Sequence, residues 1–155
     1  HKVQPDLGAL IAWNLDNGEK RIQFVNGMAA NDPVSTLQIW KFVIDRYPGE
    51  GGTCVFFNSR DDRPVRTRQM IELTLKEIKP DHFIIRGDKL QSTLSRLAYH
   101  SPKTKIQTIG LNDDIGSTVE MLVGLPHDTL IYAIGNQVGA GQEILTQISK
   151  YRHYG

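Results

Sequence analysis

Four arginines and two aspartates are concentrated in one short stretch of the sequence, NSRDDRPVRTR, at residues 58–68. A guanidinium group binds a carboxylate or a phosphate through two parallel hydrogen bonds, so several arginines together suit a ligand with several anionic groups. Arginines at a helix N-terminus oppose the helix dipole, and their presence where a helix is predicted to begin is therefore unfavourable for the helix itself. A solvated network of Arg–Asp ion pairs explains the same composition. The stretch predicts either an anion site or such a network.

A second stretch, FVNGMAANDPVST at residues 24–36, joins a predicted strand to a predicted helix. Asp32 followed by Pro33 is typical of a helix N-cap and the first helical position. A helix N-terminus also attracts anions, and the amides of Asn26 and Asn31 can both donate and accept hydrogen bonds. The stretch is therefore expected to cap the helix and to contribute to a binding site.

Other residues with reactive side chains are weaker candidates. The single cysteine, Cys54, lies in the predicted buried strand TCVFF, which favours a core residue over a nucleophile. Three histidines without metal-ligand spacing lie in or near the opposite connectors: His82, His100 and His127. The pair at residues 113–114 could bind magnesium, but a cap for the following helix is the preferred interpretation. GNQVGAG is not a dinucleotide fingerprint, and the sequence contains no Walker A motif.

The elements that must position these residues follow from hydrophobic periodicity. Six apolar runs predict strands: GALIAWNL, RIQFVN, TCVFFNS, HFIIRG, KIQTIG and TLIYAIGN. The Asn-Gly turn between the first two predicts a hairpin, and amphipathic helical stretches follow each of the last five strands. Crossovers of this length require parallel strands with helices on both faces. We therefore predict a three-layer α/β sandwich with a six-stranded, mostly parallel Rossmann-like sheet and an N-terminal β-hairpin.

The loops that follow the five parallel strands are polar or glycine-rich, whereas the opposite loops are short Pro/Gly connectors. Ligands of open parallel sheets bind outside the carboxyl ends of the strands. This edge is therefore the expected functional edge, although helix caps and turn residues alone would explain part of the asymmetry.

Composition limits the class of protein. The 155 residues suffice for one domain, and 39% hydrophobic with 23% charged residues fit a globular protein. A net charge of +1 gives no indication of a nucleic-acid or polybasic membrane surface. No run approaches the roughly 20 apolar residues that span a bilayer, and one cysteine favours a reducing compartment. The sequence begins without methionine, which suggests a piece of a longer polypeptide.

Four blocks together resemble one family. FVNGMAANDPVSTLQIWK resembles the segment that opens the C-terminal domain of the PgsB/CapB poly-γ-glutamate synthases, which are similar to Mur ligases and folylpolyglutamate synthases. PDLGAL, NSRDDRPVRT and IYAIGNQVGAG resemble further blocks of this family in order and spacing. The resemblance covers nearly all of the chain, residues 1–155, as a single domain of the Mur ligase C-terminal type. It implies that the N-terminal and central ATP-binding domains are absent.

The resemblance implies an ATP-dependent amide ligase that makes γ-linked glutamate chains through an acyl phosphate. The implied cofactors are ATP and Mg²⁺, held mainly by the absent central domain, so that no catalytic or metal-binding residue is expected here and the piece alone is expected to be inactive. Glutamate or the polymer is the implied substrate. Membrane-associated synthase subunits are the implied partners, with a homo-oligomer also compatible. The full-length protein is expected in the cytoplasm at the inner face of the membrane, and this piece is expected to be soluble.

The resemblance also assigns roles to individual residues. Asn26 occupies the place of an aspartate near the nucleotide in many Mur-type ligases, and Asn31 matches the asparagine of their Asp-x-Ala-His-Asn-Pro motif, with Ala30 in place of the histidine. The implied nucleotide-binding residues are Asn26, Asn31, Asp32 and Asn136. The implied substrate-binding residues are Arg60, Asp62, Arg63 and Arg66. Arg63 and Arg66 are expected to hold a carboxylate of glutamate or of the polymer end.

An alternative of a different class stays open: a non-catalytic α/β module whose polar edge docks a protein partner or senses a ligand. Under the ligase hypothesis, changes at Asn26 or Arg63 abolish ATP turnover of the full-length enzyme. Under the alternative hypothesis, changes at Asn26 or Arg63 leave ATP turnover unchanged.

Overall fold

The computed structural model describes residues 11–30 and 32–153. Within these residues, six strands form one sheet: β1 (Ile11–Asp16), β2 (Arg21–Asn26), β3 (Thr53–Asn58), β4 (His82–Arg86), β5 (Lys105–Ile109) and β6 (Leu130–Gly135). The α-helices of the same residues are α1 (Pro33–Arg46), α2 (Pro64–Leu73), α3 (Gln91–Leu97), α4 (Ile115–Val123) and α5 (Ala140–Ser149).

The strand order across the sheet is β1-β2-β6-β3-β4-β5. β1 pairs antiparallel with β2 at one edge, and the remaining pairs are parallel. This arrangement confirms the predicted hairpin followed by four strand–helix–strand crossovers. The last strand does not extend the sheet but enters between β2 and β3.

Helices cover both faces of the sheet, as the near-continuous apolar strands require. Val43, Met70 and Leu94 bring α1, α2 and α3 onto one apolar core, and Leu122 and Ile144 bring α4 and α5 onto the other. The predicted three-layer sandwich is therefore confirmed.

Two connections differ in detail from the simplest expectation. The hairpin has a four-residue loop at residues 17–20, in which the Oδ1 of Asn17 accepts hydrogen bonds from the amides of Glu19 (2.9 Å) and Lys20 (2.7 Å). The second crossover helix continues beyond α2 as a π-helical segment, Thr74–Ile78. The hydroxyl of Thr74 donates to the carbonyl of Met70 at 2.8 Å, and such back-bonding competes with the regular helical pattern.

The topology makes several neighbouring strands diverge at the carboxyl edge of the sheet. β6 lies between β2 and β3 and leads to α5 on one face, whereas β2 and β3 lead to α1 and α2 on the opposite face. β4 and β5 diverge in the same way, toward α3 and α4. Loops that leave adjacent strands toward opposite faces open a crevice, which is where doubly wound sheets bind ligands.

Candidate functional site

A cleft of about 450 Å³ lies where β3 and β6 diverge and is called here the β3–β6 cleft. Its lining comes from the loops after β2, β3 and β6, the ends of β3 and β6, and the first turns of α2. The polar residues among its lining are Asn58, Ser59, Arg60, Arg63, Arg66, Thr67, Asn136 and Gln137. The structure therefore brings together three of the predicted substrate-binding residues and one of the predicted nucleotide-binding residues.

Arg60 is paired within the loop. Its Nε and one Nη donate to the two carboxylate oxygens of Asp62 at 2.9 and 2.8 Å, a bidentate pair. This contact lowers the pKa of Asp62 and raises the pKa of Arg60. Both side chains are solvent-exposed, so the pair contributes little to stability. Asp62 compensates the charge of Arg60 and does not line the cleft.

Arg63 and Arg66 are cations of the cleft that lack a direct carboxylate contact. Within the described part of the chain, neither forms an ion pair, although the charge of Arg63 acts on Asp62 and that of Arg66 acts on Asp32 at longer range. Arg63 occupies the N-cap position of α2 without a side-chain cap, and Arg66 lies in the first turn, so both charges stand at the positive end of the helix dipole. The prediction of a purely solvated Arg–Asp network therefore holds for Arg60 and leaves these two arginines available to an anion.

Asp32 is the N-cap of α1. Its Oδ1 accepts the amide of Ser35 at 2.8 Å, and its Oδ2 accepts the hydroxyl of Ser35 at 3.0 Å. These hydrogen bonds lower the pKa of Asp32, and the charge of Arg66 acts in the same direction. The predicted cap is thus present, while Asp32 is not part of the cleft lining. The predicted contribution of Asn31 lies outside the described residues.

Asn26 ends β2 and is buried, with 5% of its surface exposed. Its Oδ1 accepts the amide of Met28 at 3.0 Å, and its Nδ2 donates to Oε1 of Gln137 at 3.5 Å. Gln137 belongs to the cleft lining. The amide of Asn26 therefore shapes the loop after β2 and connects it to the loop after β6.

Asn136 forms the turn after β6. Its backbone amide donates to the carbonyl of Asn58 at 2.8 Å, and its own carbonyl accepts the Nδ2 of Asn58 at 2.8 Å. Its side chain exchanges hydrogen bonds with the backbone of Val138 at 3.2 and 3.3 Å. Both backbone groups of Asn136 are thus held by Asn58.

The sequence pattern does not indicate a site role for two further residues of this edge, Asn58 and Arg86. Arg86 ends β4 with 5% of its surface exposed, and it pairs in register with Asn58. Its Nη1 donates to Oδ1 of Asn58 at 3.3 Å, and its Nη2 donates to the carbonyl of Leu111. The sequence signal is an arginine directly after the apolar run HFII, at the carboxyl end of a buried strand.

The weaker candidates behave as follows. Cys54 is fully buried, and burial raises the pKa of its thiol, which confirms the prediction of a core residue. Asp114 is at the N-cap position of α4, but its side chain makes no capping hydrogen bond. Instead, Asp113 accepts the amide of Gly110 at 2.9 Å. The described residues contain no cluster of three histidine, cysteine or carboxylate side chains that could hold a metal ion.

No helix within residues 11–30 and 32–153 is both long and apolar enough to cross a membrane.

The doubly covered sheet with an antiparallel edge hairpin is a fold that solved structures of peptide ligases share. The chain superposes on a murein peptide ligase from Psychrobacter arcticus with a TM-score of 0.60 and 10% identity, over 92% of this chain and 30% of that one. It also superposes on a domain assigned to a UDP-N-acetylmuramate:L-alanyl-γ-D-glutamyl-diaminopimelate ligase from Haemophilus ducreyi, with a TM-score of 0.52 and 14% identity, over 82% and 91% of the two chains. At these identities the likeness establishes the fold alone.

Sequence comparison defines the family more narrowly. Residues 13–151 match the C-terminal domain of poly-gamma-glutamate synthase CapB, and the chain belongs to this family. It is 34% identical to PGA synthase CapB of Bacillus subtilis over 153 residues, which are 96% of this chain and 38% of the relative. It is 33% identical to capsule biosynthesis protein CapB of Bacillus anthracis over 149 residues, which are 94% of this chain and 32% of the relative. The chain therefore spans about a third of the length of these relatives.

Proposed function

We propose that this chain is the C-terminal domain of an ATP-dependent γ-glutamyl ligase that synthesises poly-γ-glutamate. The N-terminal and central domains, with the principal nucleotide site, would belong to the rest of that enzyme. In this proposal the β3–β6 cleft holds an anionic group of the incoming glutamate or of the polymer end. The observation that carries it is the pair of cations, Arg63 and Arg66, that line the cleft without a carboxylate partner among the described residues.

In this proposal Arg63 and Arg66 orient the substrate and take no part in bond making or breaking. A carboxylate between two guanidinium groups is fixed in direction as well as in place. With the carboxylate of glutamate held in this way, its amine is limited to a small set of positions relative to a second, activated carboxyl group. Such orientation lowers the entropic part of the barrier to amide formation.

The described residues fit an anion better than a magnesium ion. The cleft offers cationic and amide groups, whereas no cluster of carboxylates suited to Mg²⁺ occurs among residues 11–30 and 32–153. In this proposal the cations of the cleft take the carboxylate of glutamate, and other residues of the same edge serve the nucleotide. ATP, when bound, supplies the phosphoryl group that activates the carboxyl group. We propose that Asn26, Asn31, Asp32 and Asn136 serve the nucleotide site, with Asn26 and Asn136 acting through the loops that they shape.

The direct test measures poly-γ-glutamate synthesis by the full-length synthase that carries this domain. In the double variant R63A/R66A we expect kcat/KM for glutamate to fall by about 10- to 100-fold, because hydrogen bonds to a charged group are lost from a partly solvated site. A matched control is R96A/K103A, which removes two exposed positive charges outside the cleft. A double variant with unchanged kcat/KM would refute the assignment.

A binding test uses the 155-residue chain itself. Amide-resolved NMR titrations with glutamate and with magnesium-ATP should shift resonances in the loops around Asn26, Arg60 to Arg66 and Asn136. Shifts scattered over the opposite edge of the sheet, or shifts unaffected by R63A/R66A, would contradict the proposed location.

A further inference from the structure

Arg86 carries a buried positive charge in contact with Asn58, a residue that lines the β3–β6 cleft. Its side chain is on the same face of the sheet as Ile84, and only 5% of the residue is exposed. It forms no ion pair with any described carboxylate, and its Nε has no hydrogen-bond partner among the described residues. A buried guanidinium without an opposite charge is costly, and a cost of this kind indicates a role beyond packing.

The contacts of Arg86 determine the orientation of the neighbouring amide. Nη1 of Arg86 donates to Oδ1 of Asn58, so the NH₂ group of Asn58 faces the carbonyl of Asn136, to which it donates at 2.8 Å. If the amide were rotated by half a turn, its NH₂ group would face the guanidinium and its oxygen would face the carbonyl. Both of those contacts are repulsive, so the charge of Arg86 selects one of the two orientations.

The orientation of Asn58 in turn fixes the turn after β6. Asn58 holds both backbone groups of Asn136, and little free space surrounds this contact. A Cβ atom on Gly141 would lie 2.3 Å from the carbonyl oxygen of Asn136 and 3.2 Å from Nδ2 of Asn58. The first turn of α5 is therefore packed directly against the hydrogen-bonded pair.

We propose that Arg86 is a positioning residue for the β3–β6 cleft. Through Asn58 it holds the turn at Asn136, and this turn lines the same cleft as Arg63 and Arg66. Its hydrogen bond to the carbonyl of Leu111 anchors the same guanidinium to the loop after β5. The role in ligand binding depends on the function proposed above, whereas the role in holding the turn does not.

The test compares four variants with matched changes. R86M removes the charge and all donors, and R86K keeps the charge but loses the planar fork. N58D supplies a carboxylate for Arg86 but removes the donor to the carbonyl of Asn136. The control is T118V, because Thr118 is also fully buried and its hydroxyl has no hydrogen-bond partner among the described residues.

The first measurement is hydrogen exchange of the Asn136 amide in the unliganded 155-residue chain. We expect R86M and N58D to reduce its protection about tenfold or more, R86K to have an intermediate effect, and T118V to have none. Amides of the central strand β3, such as that of Val55, should keep their protection and thereby report an intact fold. Unchanged protection of Asn136 in R86M would overturn the proposal.

The second measurement is steady-state synthesis by the full-length synthase. If Arg86 positions the binding wall, R86M should raise KM for glutamate about tenfold with kcat changed less than about threefold. A merely destabilising change would lower the active fraction, so that kcat would fall while KM stayed constant, and this result would refute the positioning role. Loss of glutamate binding in R63A/R66A together with an unchanged KM in R86M would overturn this inference alone. An active R63A/R66A variant would instead refute the proposed function of the cleft.

Discussion

Gly135 ends β6 at the bottom of the β3–β6 cleft, and replacing it with alanine should destabilise the domain strongly. Its φ is +101°, a region that side chains adopt only under strain. A Cβ atom would lie 2.3 Å from the carbonyl oxygen of Asn58 and 2.7 Å from a ring carbon of Phe57. The oxygen belongs to the backbone of the central strand β3, so it cannot move aside without disturbing the sheet.

A comparison with Gly139, in the loop that follows, separates the cost of backbone strain at positive φ from the cost of the steric clash. The φ of Gly139 is +72°, but apart from its chain neighbours no atom of the described residues lies within 4 Å of the position that a Cβ atom would occupy. For G139A only the conformational cost remains, about 1–3 kcal/mol. For G135A the overpacking cost of about 1–3 kcal/mol is added, which gives a total of about 2–6 kcal/mol. The difference between the two variants therefore isolates the steric term.

The assay is urea unfolding of the 155-residue chain and of both variants, followed by circular dichroism. With a denaturant slope of about 2 kcal/mol per M, G135A should lower the unfolding midpoint by about 1–3 M and G139A by about 0.5–1.5 M. Equal midpoints for the two variants would refute the reasoning, because they would mean that the backbone of β3 and the ring of Phe57 adjust to the added methyl group without cost.

Three further predictions concern single side chains. D32A should lower the free energy of unfolding by about 1 kcal/mol at pH 7 through loss of the α1 cap. Because folding lowers the pKa of Asp32, this contribution is present above the carboxyl's unfolded pKa near 4 and is lost as pH falls through the folded pKa. A variant that is equally destabilised at pH 2 and pH 7 in urea titrations would contradict this prediction. Cys54, buried with a raised thiol pKa, should react with a thiol reagent at pH 8 only in denaturant; fast labelling of the native chain would be inconsistent with this. Y132F should cost about 1 kcal/mol in urea unfolding, since the phenol donates to the carbonyl of Thr36 at 2.9 Å; an unchanged midpoint would show that this hydrogen bond contributes no net stability.

The local features of the fold are predictable from the sequence because they depend on near neighbours. The cap at Asp32 involves Ser35, three residues away, and the hairpin is specified by a few polar residues around Gly18. The alternation and length of the apolar runs are sufficient for the strand–helix–strand pattern. The π-helical segment Thr74–Ile78 is not predictable in this way, since TLKEI has ordinary helix-forming composition.

The strand order and the contacts of Arg86 could not be predicted from local pattern. The entry of β6 between β2 and β3 depends on pairing between residues that are far apart in the sequence, such as Asn58 and Gly135. The partner of Arg86 depends on the register between β3 and β4, and a one-residue shift would place its side chain on the opposite face. The composition of residues 58–68 predicts either an anion site or an Arg–Asp network, and only the geometry separates Arg60, which is paired with Asp62, from Arg63 and Arg66, which form no ion pair among the described residues.

Helix N-termini alone do not distinguish the β3–β6 cleft from the rest of its edge. The helices α2, α3, α4 and α5 all begin without a side-chain cap, and only α2 and α5 begin beside the cleft. The cleft differs from the other helix N-termini of this edge in its positive side chains. Arg63 and Arg66 lie at the start of α2, where they oppose the helix dipole. Their mutual repulsion and the unfavourable dipole term would both be relieved by an anion placed between them. R63A/R66A should therefore weaken anion binding strongly. It should change the free energy of unfolding of the unliganded domain by less than about 0.5 kcal/mol, because the relief of repulsion is offset by the lost attraction of Arg66 to Asp32. A large loss of stability would instead indicate a structural role for the two arginines.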